Sequence, residues 1–288
     1  MLPQGIRFTF VNRGPRLYGP RKSNPTNCLF TMEKLVSLGI VESYFEKLKS
    51  NLALDAAIVG GGPSGLVAAY YLAKAGKKVA LFERKLAPGG GMWGGAMMFN
   101  EIVVQEEAMP IVKELGIRYK ELGGGAYLLD SVHATSALIY KATEAGATIF
   151  NCYSIEDVVF HDNRVNGLVV NWAPVVRERM HVDPLVIMAR TTLDGTGHDC
   201  EIATLVARKN HVQLDTPTGG VVGERSMSVV EAERTTIENT KEIYPGLFVS
   251  GMASNGVSGS FRMGPIFGGM LLSGRKAAEL MTAGIDKL

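Results

Sequence analysis

Apolar positions over residues 32–52, MEKLVSLGIVESYFEKLKSNL, fall at Leu35, Val36, Ile40, Val41, Tyr44, Phe45 and Leu48. That is close to helical spacing and predicts one or two short amphipathic helices packed on a sheet. The pattern then changes. An apolar run, Ala56–Val59, leads into a glycine-rich turn, an alanine-rich stretch ending at Gly76 and a second apolar run ending at Glu83. Strand, turn, helix and strand in that order make a βαβ unit. Residues 133–171 read as helix, strand, strand, turn, strand, and Asp162, Asn163 and Arg164 mark the hairpin between two β-rich runs. From Tyr244 onward the chain reads as a final strand, a glycine-rich turn and a long helix. Arg262 lies just before that second helix N-terminus, which can point at a ligand.

Composition changes this picture little. The chain is 46% hydrophobic and 20% charged with a net charge of +2, which gives no reason to expect nucleic acid or an anionic membrane as a partner. Its 288 residues can bury a full core, as one large domain or two joined lobes. No apolar run approaches the ~20 residues of a membrane-spanning helix. Cys28, Cys152 and Cys200 form no CxxC pair and are odd in number, which predicts a reduced, cytoplasmic location. Residues 1–31 carry five basic and no acidic residues. They lack the apolar core of a secretory signal and read as a basic, disordered or loosely docked extension ahead of a single domain over residues 32–288.

The chemistry begins at the first turn. Gly60, Gly62 and Gly65 fit GxGxxG, with a strand before, a helix after and Glu83 closing the next strand. Gly60 allows the tight turn, Gly62 lets backbone approach a pyrophosphate, and Gly65 lets the helix sit close to the strand. Exposed N–H groups and the positive helix end hold phosphates. Glu83 can accept from both ribose hydroxyls and disfavours a 2′-phosphate, so the expected ligand is NAD or FAD rather than NADP. Ser64, Arg84 and Gly91 are expected beside it, Ile155 near the adenine, and Met252 in a turn whose backbone can touch the nucleotide. The expected fold is α/β: a Rossmann-like, two-dinucleotide-binding (FAD/NAD(P)-type) fold with a central parallel sheet plus an antiparallel β layer. The glycine runs at 122–127 and 216–227 read as substrate-side loops, a plain hairpin being an equal alternative for the first. Trp93 and Trp172 read as packing or cofactor-stacking groups, and Met92, Met97 and Met98 as core filler.

Residues 177–201, RERMHVDPLVIMARTTLDGTGHDCE, gather His181, Asp183, Asp194, His198 and Asp199. Taken alone, Asp183 and His198 read more readily as an Asp–His hydrogen bond in a loop than as metal ligands. Asp194 and Asp199 read as turn or supporting residues, Cys200 as structural, and His133, His161 and His211 receive no role.

With the opening fingerprint, PGGGMWGG, NW…HVDP, GTGHD and RMGPIFGGM all in order, the chain resembles the thiamine-thiazole synthases over about residues 35–285. That family makes ADP-thiazole from NAD, glycine and a sulfur source, a transferase reaction that releases nicotinamide. In one branch, a cysteine two residues before the DP aspartate gives up its sulfur and the enzyme dies after one turnover. Here that position is His181, with Met180 and Val182 beside it, so the chain resembles the sulfide-using, iron-dependent, multi-turnover branch. The resemblance implies that Asp183 and His198 hold Fe(II), meeting across a subunit interface in a homo-oligomer, suggested to be an octamer. It implies too that Arg262 grips the glycine carboxylate. His181 is then a proton carrier, or only positions NAD. Three other readings stand beside this one: an FAD-dependent oxidoreductase, a ribose-1,5-bisphosphate isomerase and a non-catalytic nucleotide sensor.

Overall fold

The structure, a computed structural model, describes residues 25–287; the basic extension expected over residues 1–31 lies outside the described residues as far as residue 24. Residues 25–31 belong to α1 (Pro25–Ser50), a single helix of 26 residues where one or two short ones were expected. No proline follows Pro25 at its start, and Gly39, which costs ~1 kcal/mol in a helix interior, does not interrupt it. On it Leu35, Ile40 and Phe45 are exposed, whereas Tyr44 and Leu48 are half-buried.

Residues Ser50–Leu288 form one compact unit. The predicted βαβ unit is β1 (Ala53–Val59), α2 (Pro63–Lys74) and β2 (Val79–Glu83). After a 3-10 turn at Gly90–Gly94 come β3 (Glu101–Gln105), α3 (Met109–Glu114), β4 (Lys120–Gly123) and β5 (Ala126–Asp130). Next are α4 (Ser131–Glu144), β6 (Thr148–Asn151), β7 (Tyr153–His161), β8 (Arg164–Trp172) and α5 (Ala173–Arg177). Then β9 (Leu185–Asp194), α6 (Glu201–Asn210), β10 (Arg225–Met227), α7 (Val229–Glu238), β11 (Lys241–Tyr244) and β12 (Leu247–Val249) lead to the C-terminal part. There a short helix, α8 (Met252–Ser258), and a two-residue strand, β13 (Phe261–Arg262), precede the expected long helix, α9 (Gly268–Ile285).

The main sheet runs β11-β12-β9-β1-β2-β6. Its pairs are parallel from β12 to β6. The β7–β8 hairpin joins it antiparallel through β8 and β9, and β3-β5-β4 form a separate antiparallel sheet. The expected α/β architecture with its antiparallel layer is therefore present. Asp162 and Asn163 turn the β7–β8 hairpin with φ of 52° and 55°, the left-handed pair such tight turns require. Gly123, Gly124 and Gly125 make the β4–β5 turn with open space about each; this glycine run is a hairpin, and it lines neither of the two cavities described below. Among the described residues no helix is long and apolar enough to cross a membrane.

The strand order sets the position of the site. The chain leaves β1 for β2 on one side, while β9 returns on the other, so the connections diverge at the C-terminal end of β1. Val59 pairs with Phe82 and with Asp194, and Asp194 in turn with Val249. Four strands therefore end level, at the kind of switch point where parallel sheets bind ligands. The core beneath is apolar: Ile58, Leu66, Leu72, Leu81 and Leu193 are fully buried. Small residues let α9 lie against α2, where a Cβ built on Gly274 would stand 2.3 Å from the Ser64 carbonyl oxygen.

A buried carboxyl lies within the fold beside α9. Glu233 on α7 is buried, its Oε2 accepting from Gly269 N–H at 2.6 Å and from the Gln105 side-chain amide. Its Oε1 and the Gln105 Oε1 are both buried without a partner. A carboxylate would leave two acceptors facing no donor, whereas a proton on Glu233 supplies one, and burial pushes this carboxyl above its ordinary value. The native state then holds that proton to higher pH than the unfolded chain does. This contribution to stability is full below the ordinary carboxyl range and is lost as pH rises through the native value. Glu233→Gln is expected to flatten that loss, read as melting temperature against pH. A profile parallel to that of the unmodified protein would count against it.

Candidate functional site

A cavity of about 740 Å³ opens over the level strand ends. Gly60, Gly62, Ser64, Glu83, Arg84, Gly91, Ile155, His198, Met252 and Arg262 all line it. The fingerprint glycines occupy positions where side chains would not fit or would intrude. Gly60 has φ +95° and a Cβ there would stand 2.4 Å from the Gly195 carbonyl oxygen, where the turns after β1 and β9 cross. A Cβ built on Gly62, at the N-terminal end of α2, would meet nothing within 4 Å, which leaves room for a ligand against its backbone. Gly65 does not line the cavity; its Cβ would stand 2.2 Å from the Gly60 carbonyl oxygen, so its absence lets helix and turn close. Gly65→Ala is expected to destabilise by roughly 2 kcal/mol or more by overpacking, measured by chemical denaturation. An unchanged midpoint would refute the close-packing account.

Glu83 is buried, with Oε2 accepting from Gly61 N–H at 2.9 Å and Oε1 from Lys85 N–H at 2.8 Å. The backbone thus orients the carboxylate, and each oxygen keeps a lone pair for a diol. Arg84 is engaged by Asp199 at 3.0 Å and Glu201 at 3.5 Å, a contact that holds the guanidinium protonated and ties the end of β2 to the start of α6. Ser64 is buried, its hydroxyl accepting from Ser250 at 3.2 Å.

His198 stands on the 3-10 turn Gly197–Asp199 after β9, its Nδ1 2.6 Å from Glu224 Oε1. Arg262 is exposed on β13, and no described residue pairs with its guanidinium. His181 lies elsewhere, on a second cavity of about 610 Å³ that shares Ile155, Asp199 and Glu201 with the first. Asp183 is exposed between α5 and β9 and lines neither cavity. Within one chain, then, His198 and Arg262 share a cavity with the nucleotide motif, and His181 and Asp183 do not. Among the described residues no group of three or more His, Cys, Asp or Glu is placed to hold a metal ion. His198 carries a carboxylate, that of Glu224, behind its ring.

Sequence reasoning missed Glu224, because nothing in its spacing links it to His198. It also underrated Asp194, which accepts four hydrogen bonds at the end of β9. Cys200 is buried, its thiol pushed up to about 12, chiefly by burial, consistent with a structural role. Trp93 is a packing group whose indole donates to Pro88 O at 2.8 Å, and Trp172 packs on Tyr153 with ring centroids 4.6 Å apart. Met92 is core, but Met97 and Met98 are 77% and 81% exposed, so these two are not core filler.

Residues 37–267 match the model of the Thi4 family. A thiamine thiazole synthase of Methanothermobacter thermautotrophicus is 56% identical over 253 residues, covering 88% of this chain and 97% of that one. One from Thermotoga maritima is 52% identical over 248 residues, covering 86% and 96%. The crystal structure of Thermovibrio ammonificans THI4 superposes with a TM-score of 0.87 at 52% identity, over 88% of this chain and 98% of that one.

Proposed function

The chain belongs to the Thi4 family, whose relatives are named as enzymes of thiazole formation, and from that membership we propose that it is a sulfide-dependent ADP-thiazole synthase. It takes NAD, glycine and sulfide, releases nicotinamide, and works over many turnovers with Fe(II) in the reduced cytoplasm. The observation that supports this reading best is the single cavity that joins the fingerprint turn, Glu83, His198 and Arg262. The pyrophosphate suits the N-terminus of α2 and its open Gly62, and the ribose hydroxyls suit Glu83. Arg262, with no partner among the described residues, offers its two-pronged guanidinium to the glycine carboxylate.

The metal would be held by Nε2 of His198 and by Asp183 of a second copy. When bound, Fe(II) supplies Lewis acidity and an open position for sulfide. Met180, Val182 and Leu185, exposed on either side of Asp183, support docking of this segment against another subunit. His181, two residues from Asp183, would arrive with it and move a proton beside the reacting carbon or position NAD. Because imidazole holds no sulfur, the sulfur atom comes from outside the chain.

Anaerobic incubation with NAD, glycine, sulfide and Fe(II), read by mass, is expected to give ADP-thiazole only when all four are present. Product formed without sulfide would overturn the choice of sulfur source.

A further inference from the structure

Glu224 stands behind the imidazole of His198. Its side chain is 16% exposed against 49% for the imidazole, so the carboxylate is the better fixed of the two. A carboxylate accepts and cannot donate, so at 2.6 Å the proton between them sits on Nδ1, and in the neutral imidazole the lone pair is then on Nε2. No described residue takes up Nε2, and the ring lines the nucleotide cavity.

The segment that carries Glu224 is held on both sides. Gly223 N–H donates to Gly256 O at 2.9 Å and Arg225 N–H to Ser260 O at 2.9 Å. The Arg225 guanidinium stands 4.3 Å from the Phe261 ring centroid. Beyond it, Met227 pairs with Arg262 in the β10–β13 ladder, and Ser228 N–H donates to Arg262 O at 3.2 Å. The turn that carries His198 is fixed to the same helix, since Cys200 Sγ lies 3.5 Å from Ala253 O on α8. One short segment therefore touches His198 through a side chain at one end and Arg262 through backbone at the other.

We propose that Glu224 is a positioning residue, which fixes His198 as the Nδ1–H tautomer, presents Nε2 to the cavity and keeps that nitrogen in register with Arg262. The proposal rests on the reading of His198 as a metal ligand. Carboxylates behind metal-binding histidines raise affinity by ~10–100-fold, and this one is the only described acidic side chain hydrogen-bonded to the His198 ring.

Long-range proton–nitrogen NMR of histidine-labelled full-length protein, with His198→Asn to assign the signal, reads the tautomer directly. The expected result is Nδ1–H at His198, lost in Glu224→Ala and kept in Glu224→Gln, whose amide oxygen still accepts. Anaerobic Co(II) titration, followed by absorption, should show affinity falling ~10–100-fold in Glu224→Ala and less in Glu224→Gln. A proton on Nε2 in the unmodified protein overturns the proposal without any variant. So does a Glu224→Ala protein with unchanged tautomer and Co(II) affinity. His198→Ala tests the underlying reading separately: if it binds Co(II) as the unmodified protein does, His198 is not a ligand, whatever its tautomer.

Discussion

Asp194→Asn is expected to destabilise the protein by about 2–4 kcal/mol, although it changes one atom. Asp194 is fully buried at the end of β9. Its Oδ1 accepts from Thr196 N–H at 3.0 Å and the Thr196 hydroxyl at 2.6 Å, and its Oδ2 from Ile202 N–H at 3.0 Å and Ala203 N–H at 2.9 Å. Every neighbour is a donor. An asparagine turned either way sets its NH₂ against two of them. The threonine hydroxyl cannot easily turn to help, because it already accepts from Glu201 N–H at 2.8 Å. Burial pushes the Asp194 carboxyl up, and these four bonds pull it back. The two helix amides are first-turn donors of α6, whose N-cap, Cys200, supplies no side-chain cap. Asp194 caps the helix from the neighbouring strand and ties down the turn that carries His198. Thermal melting should show a fall on the order of 5–15 °C; an unchanged melting temperature would sink the argument.

That cap shows where sequence reading stops. The βαβ unit was legible because strand, turn and helix are each coded by neighbouring residues: the apolar run Ala56–Val59, three glycines, the alanine-rich helix and Glu83. Most of the cavity wall followed from it, since strand order at a switch point converges the turns. The β7–β8 turn was legible for the same local reason, because Asp162 and Asn163 tolerate positive φ. Contacts made between distant segments were not. Asp194 looked like a turn residue because only its two Thr196 donors are local, the other two coming from the next helix, and Glu224 is joined to His198 only through the folding of residues 216–227 onto α8. In α1, Leu35, Ile40 and Phe45 satisfy a helical period while their side chains are exposed. Period predicts the helix and says nothing about what covers it.

Arg262→Ala is expected to raise the KM for glycine about 100-fold or more, since each charge-assisted hydrogen bond contributes about 1.5–3 kcal/mol. The side chain starts from a strand of only two residues, Phe261–Arg262, held by pairing with β10. The backbone is thus fixed while the guanidinium has no described partner, so little must be broken for it to take a carboxylate. Arg262→Lys keeps the charge but loses the paired donors, and should fall between the two. NAD affinity, measured by calorimetry, should change little, because the fingerprint turn and Glu83 lie on β1, α2 and β2 and do not depend on β13. That contrast separates a grip on glycine from a general loosening of the cavity. Equal losses in NAD and glycine binding would mean that Arg262 supports the wall rather than the substrate. An unchanged glycine KM in Arg262→Ala would remove the residue from the site altogether. A KM rise with kcat preserved would place the interaction in the ground state and the transition state alike, as expected for a group that holds the carboxylate end of glycine rather than the atoms that react.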